Sequence, residues 1–264
     1  QASPLTPPFC ERFRLGELHL ELLPAGSTPG AAMLAIEGRE RDVLIATVAR
    51  PDPLPLAMPM PPFDVDVLLV DAQLAGVAHA SVPEMQFAID ESLAALEGGG
   101  RGVVWLFDDP MIALALASLV GNRAPIYANL GLKRWSWRYQ DAALPVPRIR
   151  RLGSQAAPGS FVFWPASRAP ELAERDVDDF SWTLAAELAD ATRADQVGAE
   201  HVLPVTRRAT GTELDAIVRE TGAVDVVAIG AGAPLLATRL HDDPSVSAKV
   251  TVWHLTDRLQ LSLL

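Results

Sequence analysis

The sequence predicts an α/β protein, and three observations predict it. Leu18, Leu20 and Leu22 alternate with other residues, the period of a half-buried strand. Residues 65–70 form an apolar β run suited to a strand buried on both faces. From residue 72 helical and strand patterns alternate, which marks a parallel α/β unit. With 264 residues, 49% of them hydrophobic, the chain can build one large domain or two small ones.

The elements follow in order. Residues 1–13 are proline-rich and read as an extended arm. Residues 15–71 organise the rest, centred on the turn Leu22-Leu23-Pro24-Ala25-Gly26-Ser27-Thr28-Pro29-Gly30-Ala31-Ala32. Strands are expected at 33–36, 43–48 and 65–70, the last ending on Asp71. Six prolines between 50 and 62 exclude a central strand or a helix there, leaving an ordered extended connection. Ser81-Val82-Pro83-Glu84 opens a helix with a capping box and closes at Gly98-Gly99-Gly100. A strand at 103–107, a helix capped by Asp108-Asp109-Pro110, and a strand at 125–128 come next. Strands are expected at 161–164 and 202–205, and a helix carrying Leu184, Leu188 and Ala191 follows the acidic run 171–179. Thr210-Gly211-Thr212-Glu213 caps a helix ending at Gly222. A strand at 224–229, a helix at 234–240 and a terminal hairpin over 250–254 and 259–263 complete the reading.

Charge and cysteine content narrow the function classes. The 22 basic against 33 acidic residues give −11, which argues against broad nucleic-acid or anionic-membrane binding but leaves a local basic patch open. Cys10 is the single cysteine, so neither an intrachain disulfide nor a cysteine metal cluster can form. The apolar run 111–120 is too short to span a bilayer and reads as a core helix. No secretory signal opens the chain, and a reducing cytoplasm is the expected location. A start at Gln1 rather than Met is compatible with processing or truncation.

The strands and turn of 15–71 resemble the second half of a metallo-β-lactamase-fold nuclease of the β-CASP type, most nearly the bacterial ligase-associated DNA exonuclease branch. The resemblance is carried by Leu15-Gly16-Glu17-Leu18, by Asp71 after Val67-Leu68-Leu69-Val70, and by Pro125-Ile126-Tyr127. It continues through His201-Val202-Leu203, Gly211, Leu214, Ile217 and Thr221-Gly222-Ala223. It implies a partial metallo-β-lactamase-like sandwich, mainly its second sheet, at 1–71 and 201–264. An inserted β-CASP-like α/β domain would occupy 72–200.

The same resemblance exposes what is replaced. The family's L-P-A-G-H loop has Ser27 at the histidine. Its bridging G-D reads Ala46-Thr47, its S-D-H-A-D-like motif has Thr206 at the histidine, and its T-H-G reads Ile229-Gly230-Ala231. The residues given begin after the place of the first metal motif, H-x-H-x-D-H. Of the matched acidic and metal positions only Asp71 is retained. Two metal ions need several imidazole and carboxylate ligands at about 2.0–2.2 Å. Hydroxyls at Ser27, Thr47 and Thr206, and no side chain at Gly230, do not replace them. No catalytic residue, metal or cofactor is therefore expected.

Other motifs are weaker. His19, His79, His201, His241 and His254 stand apart, none at a close ligand spacing. Asp71 could be a catalytic acid, but an isolated carboxylate at a strand end more often caps a neighbouring turn. Gly230-Ala231-Gly232 lacks the third glycine of a dinucleotide fingerprint, with Leu235 in its place, and reads as a tight strand-to-helix turn. One charge anomaly stands out. Lys133, Arg134, Arg138, Arg148, Arg150 and Arg151 fall within 133–151 beside Trp135 and Trp137, with Asp141 the one acid. They form either an exposed patch for nucleic acid or an acidic partner, or a packed set with buried tryptophans and arginines paired to 171–179.

Three functions are consistent with this sequence. The first is a catalytically inactive β-CASP-like pseudoenzyme serving as a structural or interaction subunit, with a protein partner or a second copy covering an exposed sheet face. The second is a non-catalytic nucleic-acid-binding protein using 133–151. The third is a metal-dependent nuclease completed by a segment or chain outside this sequence.

Overall fold

In the computed structural model of the protein, residues 7–177, 179–187 and 189–253 are described. Five strands come first: β1 (Arg12–Leu15), β2 (Leu18–Pro24), β3 (Ala32–Glu37), β4 (Val43–Ala46) and β5 (Val67–Asp71). Helix α1 (Val82–Glu97), β6 (Gly102–Phe107), α2 (Pro110–Val120), β7 (Ile126–Ala128), α3 (Leu130–Asp141), β8 (Ile149–Arg151) and β9 (Ser160–Pro165) follow. A 3-10 helix (Ala166–Glu174), β10 (Ser181–Ala186), α4 (Ala191–Val197) and β11 (His201–Pro204) continue the chain. Last come α5 (Gly211–Glu220), β12 (Asp225–Ile229), α6 (Ala233–Asp242) and β13 (Lys249–Trp253).

The chain divides into two compact units, residues 1–78 with 207–264 and residues 79–206. The expected boundaries at 71/72 and 200/201 thus shift to 78/79 and 206/207. The second shift has a plain cause: β11 pairs in parallel with β10, so its hydrogen bonds belong to the inner unit.

The first unit is built on a seven-stranded sheet, β1-β2-β3-β4-β5-β12-β13. Strands β1 to β4 are antiparallel, and β4, β5, β12 and β13 run parallel. One face carries Leu23, Met33, Leu44, Leu68, Val70 and Val226, which pack with Leu214, Ile217 and Val218 of α5 and Leu236 and Leu240 of α6. Strand β1 falls where the proline-rich arm was expected, because Arg12 to Leu15 pair across a Gly16 turn with β2. The first six residues of that arm lie outside the described residues. So do His254 and the second half of the expected terminal hairpin. Its first half, β13, pairs in parallel with β12.

The second unit holds a six-stranded, wholly parallel sheet, β11-β10-β6-β9-β7-β8. Central strands β6 and β9 are buried along nearly their whole length, as a sheet covered on both faces requires. The 3-10 helix and α4 cover the side of Val104, Leu106, Val162 and Trp164, and α1, α2 and α3 pack along the other. Ser81 caps α1 with the expected reciprocal box, and Asp109 accepts from Met111 N at 2.8 Å at the start of α2. One expectation fails here. The helix expected to carry Leu184, Leu188 and Ala191 begins only at Ala191, as α4: residues 181–186 are β10, inserted between β6 and β11, and Leu188 lies outside the described residues. A strand buried on both sides shows no period of two, so Leu184 read as the start of the helix that Ala191 opens.

Candidate functional site

Asp71 ends β5 beside Ile229, the last residue of β12. Its Oδ1 accepts from the Gln73 backbone N–H at 2.9 Å, and its Oδ2 lies 3.4 Å from the Arg208 guanidinium. The carboxylate is thus a turn cap with a cationic neighbour from its own unit. Gly230 follows directly. A side chain there would meet Gln73 N at 2.9 Å and Asp71 Oδ1 at 3.1 Å, and its φ is +99°. The turn holds glycine for space and for backbone conformation alike.

Ser27 is buried in the turn after β2. The neighbouring Gly26 has φ +72°, and a Cβ there would lie 2.0 Å from the Arg50 carbonyl. Arg50 N donates to the Ala25 carbonyl at 2.7 Å, and Leu54 N donates to the Gly26 carbonyl at 2.9 Å. This turn is therefore closed by the proline-rich segment that runs on from Thr47. Thr47 is half-buried. Thr206 falls in the second unit, where its hydroxyl donates to Glu187 Oε2 at 2.8 Å. The structure thus brings Asp71 and Gly230 into contact, while the Ser27 and Thr47 loops belong to a differently bonded turn.

The residue that sequence reasoning missed is Arg50. Its side chain is 2% exposed, and Nε lies 3.2 Å from Glu213 Oε1 and donates to the Asp52 carbonyl at 2.9 Å. Glu213 Oε2 accepts from Thr210 N at 2.9 Å and Thr210 Oγ1 at 3.0 Å, capping α5. The capping box was legible. The buried arginine that shares its carboxylate was not, because the two lie far apart in sequence.

A dinuclear metal centre, implied by the resemblance, does not fit these residues. The candidate positions offer hydroxyls, a glycine and one carboxylate already beside a guanidinium. Among the described residues no group of three or more His, Cys, Asp or Glu could hold a metal ion. His19 approaches Glu37 at 3.9 Å, His79 Nε2 lies 2.8 Å from the Glu187 carbonyl oxygen, and His201 and His241 are exposed.

The basic cluster is assembled by α3 and β8. Asn129 caps α3 by accepting from Leu132 N at 2.8 Å. Leu132 and Ser136 face inward, which turns Trp135 and Trp137 out, 38% and 50% exposed. Lys133 Nζ lies 4.7 Å from the Trp137 ring centre, and the Arg138 guanidinium 5.1 Å from that of Trp135. Among the described residues strand β8 is a sheet edge, pairing only with β7. Ile149 is buried while Arg148, Arg150 and Arg151 are exposed. Lys133, Trp137, Gln140 and residues 148–151 line a groove of about 300 Å³.

The packed alternative does not hold. Glu171 is engaged by Arg168 at 2.5 Å, whose guanidinium holds its carboxyl below the usual carboxylate range. Asp176 and Asp179 face Arg101. Lys133, Arg134, Arg138, Arg148, Arg150 and Arg151 make no ion pair among the described residues.

No protein-family model matches the sequence, and no curated protein matches it. Among solved structures, the crystal structure of a protein of unknown function from Enterococcus faecalis V583 superposes with a TM-score of 0.62 at 11% identity. The match covers 96% of this chain and 66% of that one, so this chain spans just under two thirds of that protein's length. At that identity the likeness shows the fold alone. Among the described residues no helix is long and apolar enough to cross a membrane.

Proposed function

We propose that this chain is a catalytically inactive β-CASP-like protein that serves as a structural or interaction subunit of a larger complex, in the cytoplasm. The observation that carries this reading is a row of side chains on the first unit's sheet. Register places Leu22, Leu34, Ile45, Leu69 and Val227 side by side across β2, β3, β4, β5 and β12. All five are half-buried, whereas neighbours on the opposite face, such as Leu44, Leu68 and Val226, are 0–1% exposed beneath α5 and α6. An apolar row across five strands is the kind of surface that a protein partner or a second copy covers.

The inactive half of the reading rests on donor chemistry. Ser27, Thr47 and Thr206 offer hydroxyls that do not ionise near neutral pH, Gly230 offers nothing, and Asp71 already faces Arg208. Purified full-length protein is expected to hydrolyse no phosphodiester. Stoichiometric zinc or manganese, with hydrolysis that a chelator abolishes, would overturn this half and favour a nuclease completed by another chain or segment. The interaction half is tested by light scattering and by co-purification from the native source. A monodisperse monomer at micromolar concentration that brings nothing down with it would overturn that half.

A further inference from the structure

The groove between α3 and β8 carries chemistry that a scaffold role does not use. Four cations line it, Lys133, Arg148, Arg150 and Arg151, together with Trp137. Arg134 and Arg138, one helix turn apart and each next in sequence to a groove residue, extend the positive surface beyond it. The whole chain carries −11, yet none of these six is neutralised by an ion pair among the described residues. Clustered like charges repel one another, and the chain has acids enough to relieve them. Arg101, Arg123 and Arg168 in the same unit each have a carboxylate partner.

We infer that this groove binds single-stranded nucleic acid, with phosphates on Lys133, Arg148, Arg150 and Arg151 and a base against Trp137. Guanidinium groups take phosphate oxygens through paired hydrogen bonds. Aromatic rings beside them stack on bases, and that combination binds single strands with little sequence preference. An acidic polypeptide would use the cations but not the exposed indole. A duplex hides its base faces in the stack. The groove volume of about 300 Å³ lies at the small end of ligand sites and suits one nucleotide unit, with Arg134 and Arg138 placed for phosphates further along the strand. This inference stands apart from the scaffold reading, since it needs neither a partner nor an empty metal site.

The test is fluorescence anisotropy of the full-length protein with a fluorescein-labelled oligothymidylate 15-mer over a salt series. Three to four phosphate contacts predict a slope of log K against log salt of about −2 to −3. Arg148→Glu/Arg150→Glu/Arg151→Glu is expected to weaken binding more than about a hundredfold and to flatten that slope. Trp137→Ala is expected to weaken binding about tenfold. Arg39→Glu, on an exposed pair with Glu17 in the other unit, is expected to leave it unchanged. If the triple variant misfolds by circular dichroism, Lys133→Glu/Arg134→Glu on the helix takes its place. Failure of the 15-mer to bind at low salt, or equal binding by the groove variants, would overturn the inference. So would displacement by polyglutamate at equal charge, which would make the groove an acidic-protein surface. Equally tight binding of thymidine monophosphate would make it a small-ligand site and would overturn it too.

Discussion

Two regions of this protein hold their cations in opposite ways. In the first unit, the arginines beside the Ser27 turn and Asp71 face carboxylates of their own unit: Arg50 reaches Glu213 and Arg208 reaches Asp71. In the second unit, the arginines of α3 and β8 meet no carboxylate among the described residues and stand exposed around a groove. Charge closed internally is a structural element, and charge left open is available to a ligand. The contrast separates cations that hold the fold from cations that face solvent, and it can be broken by measurement.

The largest effect is expected at Arg50. Its guanidinium is 2% exposed and shares Glu213 with the cap of α5. Arg50→Ala would leave a carboxylate without its buried cation and open space beneath the Ser27 turn. Removing one partner of a buried pair costs about 3–5 kcal/mol, to be read as a lower urea midpoint at unchanged slope. A loss under 1 kcal/mol would mean that the pair is not the lock described here. Thr210→Ala, which removes one hydrogen bond to the same Glu213, should cost about 1 kcal/mol, the usual worth of a helix cap. The double variant should lose less than the sum, because the two residues share one carboxylate.

Asp71 and Arg208 should matter less. Their side chains are 20% and 41% exposed, where ion pairs are worth about 0–1 kcal/mol. Asp71→Asn keeps an acceptor for Gln73 N and is expected to change stability by under 1 kcal/mol. A much larger loss, or a gain of metal-dependent hydrolysis on removing Arg208, would show that this corner is a site held shut rather than a turn.

How much of this was legible differs between the regions for physical reasons. Strands β2 to β5 and β12 followed from apolar patterns, and the caps of α1, α2 and α5 from their side-chain chemistry. Strand β10 was lost because burial on both faces erases the period of two. Strand β1 was masked by the prolines before it. The basic groove was visible as composition, six cations within 133–151 of an acidic chain. That α3 and β8 bring them together was not visible, since neither a three-residue edge strand nor a helix with two outward tryptophans follows the usual amphipathic pattern. Arg50 gave no local signal, because what makes it structural is a partner on a distant helix.

The smallest effect on stability belongs to the groove, and its sign is the sharpest form of the comparison. Arg150 and Arg151 are exposed on an edge strand and Arg148 is exposed just before it, where substitutions away from special features usually fall within about ±0.5 kcal/mol. Replacing all three with alanine removes no ion pair among the described residues and reduces repulsion with Lys133 and Arg134. The triple alanine variant should therefore be as stable as the parent, or slightly more so at low salt. That difference should vanish near 1 M salt, where the Debye length falls to about 3 Å. Thermal unfolding at both salt concentrations measures it. A loss above about 2 kcal/mol would place these arginines with Arg50 among the structural cations. A gain that salt erases, alongside lost oligonucleotide binding, is what charge held open for a ligand requires.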